Sequence, residues 1–278
     1  MNDLFARSYL PPDPNKRHIL GLSGGKDSTA LAIYLRDMIP QLEYVFCDTN
    51  EELPETYEYL DKLETFLRKP IVRLNADRPF SHHLQIRNGY LPSGRQRWCT
   101  ELLKLRPFEA YVGDEPVVNY VGIRADENRS GYISTKPNIQ AVFPFKEDGL
   151  GKEDVRRLLD EVGLGLPDYY KWRSRSGCYF CFFQQRNEWV GLLEEHPDLF
   201  EKAKAYEKLD PETGQRFTWN QRESLEELAQ PERIAQIKAE HAARQEKERK
   251  SRRNLPLLQA MGLSEDEEGE RGCDICHL

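Results

Sequence analysis

Long apolar runs are missing from this 278-residue chain: no 18 consecutive apolar residues occur, which excludes a membrane-spanning helix. An excess of positive charge is missing too. Forty Lys and Arg against 47 Asp and Glu give a formal net charge of -7, so any nucleic-acid contact needs a local basic patch. The start, Met1 to Pro14, is polar and proline-rich and has no apolar core of a secretory signal, which predicts a cytoplasmic protein. No internal repeat is visible. Apolar residues make up only 38%, yet 12 Phe, 13 Tyr and 4 Trp supply material for a core. The length suits one large domain, or one plus an appendage. Six cysteines in a reducing compartment point to metal or redox chemistry rather than structural disulfides.

In the first half, short apolar runs alternate with helical patterns. His18-Ile19-Leu20-Gly21-Leu22 reads as a strand and Thr29 to Leu35 as a helix, with a glycine loop between them. Further strands are expected over residues 42–47, 70–74 and 117–123. A helix over 54–67 sets Tyr57, Leu60, Leu63 and Leu67 on one face. Strands alternating with helices predict an α/β fold, a doubly wound, mostly parallel sheet covered on both faces. After Lys152 the texture changes. A helix over 153–162, a loop over 163–172, a Cys178–Cys181 knuckle and short helices over 187–195 and 198–206 precede a long, charged helical stretch over 222–253. The expected division is a nucleotide-binding domain over residues 1–150 and a helical, cysteine-bearing region over 151–278.

The glycine loop is Ser23-Gly24-Gly25-Lys26-Asp27-Ser28. Two glycines let the backbone approach a phosphate closely, and the following helix N-terminus presents unpaired N–H groups to an anion. Ser23 and Ser28 add hydroxyl donors. Lys26 either adds charge or points away, and Asp27 orients the loop or a metal. The spacing is not that of a Walker A loop, G-x-x-x-x-G-K-[ST]. A tight strand-to-helix turn also uses glycine pairs, but six specified residues go beyond what a turn requires.

These six residues resemble the PP-loop of the ATP pyrophosphatases, which cleave ATP between its α and β phosphates. Phe46-Cys47-Asp48-Thr49-Asn50-Glu51-Glu52-Leu53-Pro54-Glu55-Thr56 is similar to the "DTG…FPET" segment of the phosphoadenosine phosphosulfate (PAPS) reductase family. Arg97-Trp98-Cys99-Thr100-Glu101-Leu102-Leu103-Lys104 and Gly122-Ile123-Arg124-Ala125-Asp126-Glu127-Asn128-Arg129 resemble its later segments. The resemblance covers about residues 18–130 and implies an adenine nucleotide α-hydrolase-like fold. It implies that Ser23, Gly24, Gly25, Lys26, Asp27 and Ser28 hold the pyrophosphate of ATP with Mg²⁺, and that Asp48 sits near the adenosine or the metal. It implies that Lys104, Arg124 and Arg129 neutralise charge in the transition state. Position 50 is Asn where the family has Gly.

By spacing alone, Cys178/Cys181 and Cys273/Cys276 form two C-x-x-C pairs able to make a Zn²⁺ site, across a long gap. The resemblance implies instead a [4Fe–4S] cluster held by Cys99, Cys178 and Cys181. The family's Cys-Cys pair is Trp98-Cys99 here, so Cys273 is expected as the fourth ligand. Cys276 resembles the mobile tail cysteine of the reductases and is expected to carry sulfur. Cys47 reads as a buried core thiol.

The segment from Gly177 to Pro197 resembles PAPS-reductase-like proteins whose relatives are the ATP pyrophosphatases of DNA phosphorothioation systems. That resemblance implies adenylation of a DNA backbone phosphate, then replacement of an oxygen by sulfur from a cysteine desulfurase. DNA, together with partner proteins, would meet a local basic surface. Arg244, Lys247, Arg249, Lys250, Arg252 and Arg253 offer one, and Lys171, Arg173 and Arg175 another. The alternatives are a PAPS or APS reductase, a tRNA-thiolating PP-loop enzyme, and a catalytically idle nucleotide-binding scaffold.

Overall fold

The computed structural model describes residues 7–128, 136–209, 214–220 and 222–253. β1 (Arg17–Leu22) runs through the glycine loop into α1 (Lys26–Leu35), followed by β2 (Glu43–Asp48), α2 (Pro54–Leu67), β3 (Ile71–Asn75) and α3 (Phe80–Ile86). Next, α4 (Trp98–Thr100), a π turn over Glu101–Leu105 and α5 (Arg106–Val112) run on without a break. β4 (Val117–Tyr120), β5 (Ile139–Val142), α6 (Pro144–Glu147) and α7 (Lys152–Glu161) complete the α/β part. A 3₁₀ turn over Asp168–Lys171 leads to α8 (Arg186–Glu195), α9 (Pro197–Ala205), the hairpin β6 (Lys208–Leu209) and β7 (Arg216–Phe217), α10 (Leu225–Leu228) and α11 (Pro231–Arg253).

The first five strands pair in the order β3-β2-β1-β4-β5, all parallel. This is the doubly wound sheet expected from the alternation of patterns. Covered on both faces, its inner strands are buried along their length: every residue of β4 is buried, and of β1 only Arg17 is partly open. One core lies where α1, α2 and α7 meet the sheet, around Leu20, Leu31, Phe46, Leu60 and Leu159. The opposite face is covered by α5, with Ile19, Val45, Phe108 and Val112. A third, aromatic core joins Phe80 and Trp98 to Phe180, Trp189 and Trp219. Ring centroids there stand 5.1 Å apart for Phe80–Trp98 and 5.2 Å for Phe180–Trp219.

Several elements differ from the sequence reading. The helical stretch expected over 222–253 is two helices. Ser224 Oγ accepts the Glu227 N–H at 3.2 Å and caps α10, and Pro231 opens α11. The strand expected over 117–123 ends at Tyr120, because the chain leaves the sheet to pass the glycine loop. β5, with the pattern Ile-Gln-Ala-Val, is too short to signal itself in the sequence.

The indole of Trp172 lies against Gly191 of α8. A Cβ there would stand 2.7 Å from Trp172 Cε3 and 3.0 Å from its Cβ. Gly191→Ala is expected to destabilise the fold by about 1–2 kcal/mol, overpacking outweighing the helix-propensity gain of Ala over Gly. Urea unfolding checks this, and an undiminished midpoint would refute the close packing.

Candidate functional site

Strand order reverses at β1, which carries β2 on one side and β4 on the other. In such sheets ligands bind beyond the carboxyl ends of the strands at the reversal. The loop over residues 23–28 follows β1 at that place. Gly24 has φ +68°, and a Cβ there would stand 2.5 Å from Thr56 Cγ2, so a side chain fits neither the backbone nor the space. Ser28 Oγ accepts the Ser23 N–H at 3.1 Å and lies 3.1 Å from Ser23 Oγ, which closes the loop on itself. Gly122, just past β4, is equally constrained: a Cβ would come within 3.0 Å of the Asp27 carbonyl oxygen and 3.1 Å of Ser28 N.

That close approach carries Arg124 to the loop. Its guanidinium is buried and bonds Asp27 at 2.9 Å, Asp126 at 2.8 Å and Glu127 at 3.0 Å. Lys26 Nζ is 3.3 Å from the other Asp27 oxygen. Asp27 is thus held between two cations rather than turned alone toward solvent. Asp48, at the end of β2, accepts the Tyr57 hydroxyl and the Asn50 N–H, each at 2.8 Å. Asn50 has φ 59°, a left-handed conformation that Asn tolerates, so the turn survives the loss of the family's glycine.

From the other side, the segment around the 3₁₀ turn closes on the loop. Tyr169 donates its hydroxyl to the Gly24 carbonyl at 2.7 Å, Tyr170 OH accepts the Lys26 N–H at 3.2 Å, and Ser176 Oγ meets Ser23 Oγ at 3.1 Å. Burial raises both phenols above their ordinary range. A Cβ on Gly25 would lie 2.6 Å from Ser176 Oγ. Sequence reasoning missed Tyr169, Tyr170 and Ser176, because nothing local marks residues about 150 positions away as neighbours of the loop.

The same segment then forms the knuckle. Cys181 donates its N–H to the Cys178 carbonyl at 3.1 Å. Arg173 bonds the Gly177 and Cys178 carbonyls, each at 2.8 Å. Arg173 is buried, so it braces the knuckle, and the expectation that it presents basic surface to DNA is corrected. Cys99, Cys178 and Cys181 line one cavity together with Thr49, Lys104 and Phe183. Cys178 Sγ lies 3.2 Å from Thr49 Oγ1 and 3.6 Å from Glu52 Oε1, and Lys104 Nζ stands 3.9 Å from that oxygen. Burial first, then the Glu52 carboxylate, pushes the Cys178 thiol well above its ordinary range. Lys104 therefore sits at the thiol cavity, beside Glu52. Cys47 is a buried core thiol as expected, pushed up to about 12 by burial.

An all-thiol set from two segments suits soft metals or iron–sulfur chemistry rather than Mg²⁺. Among the described residues, no group of three His, Cys, Asp or Glu stands close enough to hold a metal ion. The cavity that the three cysteines share is about 40 Å³. Arg129, Cys273 and Cys276, expected as transition-state cation, fourth ligand and sulfur carrier, lie outside the described residues. No helix of the described residues is long and apolar enough to cross a membrane.

Residues 17–144 match the phosphoadenosine phosphosulfate reductase domain. Two uncharacterised proteins of Methanocaldococcus jannaschii are each 27% identical, over 66% and 70% of this chain. The chain spans about half or less of their length, 40% and 49%. A PAPS reductase from Candida auris, solved with phosphate, is similar at 14% identity and TM-score 0.48, over 61% of this chain and 84% of that one.

Proposed function

We propose that the protein is an ATP pyrophosphatase that activates a nucleic-acid phosphate, most readily a DNA backbone phosphate, for sulfur transfer. The observation that carries this reading is one continuous segment. Tyr169 and Ser176 touch the glycine loop, and two residues past Ser176 the chain enters the thiol cavity at Cys178. Nucleotide chemistry and thiol chemistry thus share a wall.

In this reading the loop and the α1 N-terminus bind the β and γ phosphates. Mg²⁺ bound with the nucleotide would neutralise charge on its phosphates. An acceptor phosphate oxygen attacks the α phosphorus and pyrophosphate leaves. The acceptor then carries AMP as a leaving group. The outer sulfur of a persulfide formed by a cysteine desulfurase displaces AMP to form a P–S bond, and a thiol reductant cleaves the remaining S–S bond, leaving the phosphorothioate and a disulfide. Arg124 holds Asp27 and so fixes the start of α1, and Lys104 sets positive charge beside the thiols. A [4Fe–4S] cluster held by Cys99, Cys178 and Cys181 would supply thiophilic iron at that cavity, with Zn²⁺ as the alternative occupant.

ATP with Mg²⁺ is expected to give AMP and pyrophosphate, and Ser28→Ala to lower the rate at least about tenfold with an unchanged circular dichroism spectrum. Ion-exchange separation of the nucleotide products checks this. ADP and orthophosphate would refute the reading, and sulfite release from PAPS with a thiol reductant would favour the reductase instead.

A further inference from the structure

A cleft of about 600 Å³, within the range of ligand sites, lies among α7, the 166–174 segment, α8 and α11. It reaches Lys26 and Tyr170, residues of, or bonded to, the nucleotide loop. Lys152 and Arg156 enter it from α7, Lys171 from the 3₁₀ turn, and Lys238 and Arg244 from α11. Only two acids line it, Glu188 and Glu194. Glu188 is buried and spends its oxygens on Ser174 and on the Gln185 N–H, at 2.6 to 2.8 Å. Glu194 pairs with Lys238 at 2.6 Å, both about half exposed, a pairing that a phosphate displaces at little cost. A cationic cleft on a chain of net charge -7 is a local reversal of sign, the arrangement that draws a polyanion to one place. Two aromatic rings, Tyr170 and Trp172, line it as well. Tyr170 packs on Tyr169 with Lys26 Nζ 5.2 Å from its centroid and Trp172 packs on Gly191, so together they form an apolar wall against which bases can lie.

We propose that this cleft binds single-stranded nucleic acid. Phosphates lie against the cations of α7 and α11, bases against Tyr170 and Trp172, and one phosphate reaches Lys26 at the mouth of the nucleotide loop. The inference deepens the proposed function and rests on its nucleic-acid acceptor, but binding is measurable without ATP or sulfur.

The test is fluorescence anisotropy of the full chain with a labelled single-stranded deoxyoligonucleotide of about 20 bases, across a salt series. Arg156→Glu with Arg244→Glu is expected to weaken binding at least about tenfold. Lys247→Glu with Lys250→Glu makes the same charge change on α11 outside the cleft, and is expected to shift affinity by less than about twofold. Arg156→Ala with Arg244→Ala, a milder pair should reversal disturb folding, is expected to lower the salt slope by about 1.4, at about 0.7 per lost phosphate contact. Equal losses from the two reversed pairs, no binding by the unaltered chain at low salt, or tighter binding of the duplex each overturn the cleft. If the strand binds through the cleft but ATP gives no pyrophosphate, the ATP reading fails and the cleft stands. Pyrophosphate formation with no dependence of binding on the cleft leaves the ATP reading standing and overturns the cleft.

Discussion

Arg124→Met is expected to lower the unfolding free energy by about 3–5 kcal/mol and to abolish AMP formation. The guanidinium is only 3% exposed and faces three carboxylates, on Asp27, Asp126 and Glu127, that are 9%, 20% and 11% exposed. Taking away the cation leaves a cluster of negative charge in a poorly hydrated place, with Lys26 still beside Asp27. Removing one member of such a group costs far more than the group contributes relative to an apolar replacement, because the desolvation of the partners is no longer offset. Arg124→Lys restores the charge but not the forked geometry, so it should recover only part of the stability. Urea unfolding at low and high salt reads the effect. A loss below about 1 kcal/mol, or one that salt removes, would mean that the cluster behaves as a surface ion pair.

Iron and sulfide are expected at about four of each per chain after anaerobic purification, and Cys178→Ser or Cys181→Ser should remove both. Both cysteines and Cys99 line the same cavity, so losing either removes a donor from a set that is already one short of four. Cys273→Ser should lose iron in the same way if the tail supplies the missing ligand. Cys276→Ser should keep iron and pyrophosphate formation while losing sulfur transfer. Loop-closure entropy grows only logarithmically with the length of the chain between two ligands, so the distance in sequence from Cys181 to Cys273 is no obstacle. Elemental analysis and sulfur incorporation into DNA check these outcomes. One zinc per chain and no iron refutes the cluster. A chain truncated after Gly272 that keeps full iron and full sulfur transfer removes any role for the tail.

What was legible in the sequence was local. A strand ending in Ser23-Gly24-Gly25 and a helix beginning at Lys26 are adjacent in the chain, and the glycine demand of that turn is a backbone property. Parallel pairing followed from alternating apolar runs, since a strand buried on both faces shows its burial directly in composition. Asn50 was readable as a departure, and its left-handed φ explains why the departure is tolerated. Tertiary structure alone decided which distant groups meet. Arg124 reaches Asp27 across 97 positions because β4 lies beside β1, and Ser176 reaches Ser23 across 153 because the 3₁₀ turn folds back over the loop. Arg173 looked like surface charge in the sequence and became the internal brace of the knuckle, since only the fold determines which side of a basic residue meets backbone carbonyls and which meets water. The basic cleft was hidden for the same reason. Its cations are scattered from position 26 to position 244 among an excess of acids, and only the fold, which brings α7, the 3₁₀ turn and α11 around one cleft, gathers one sign of charge into one place.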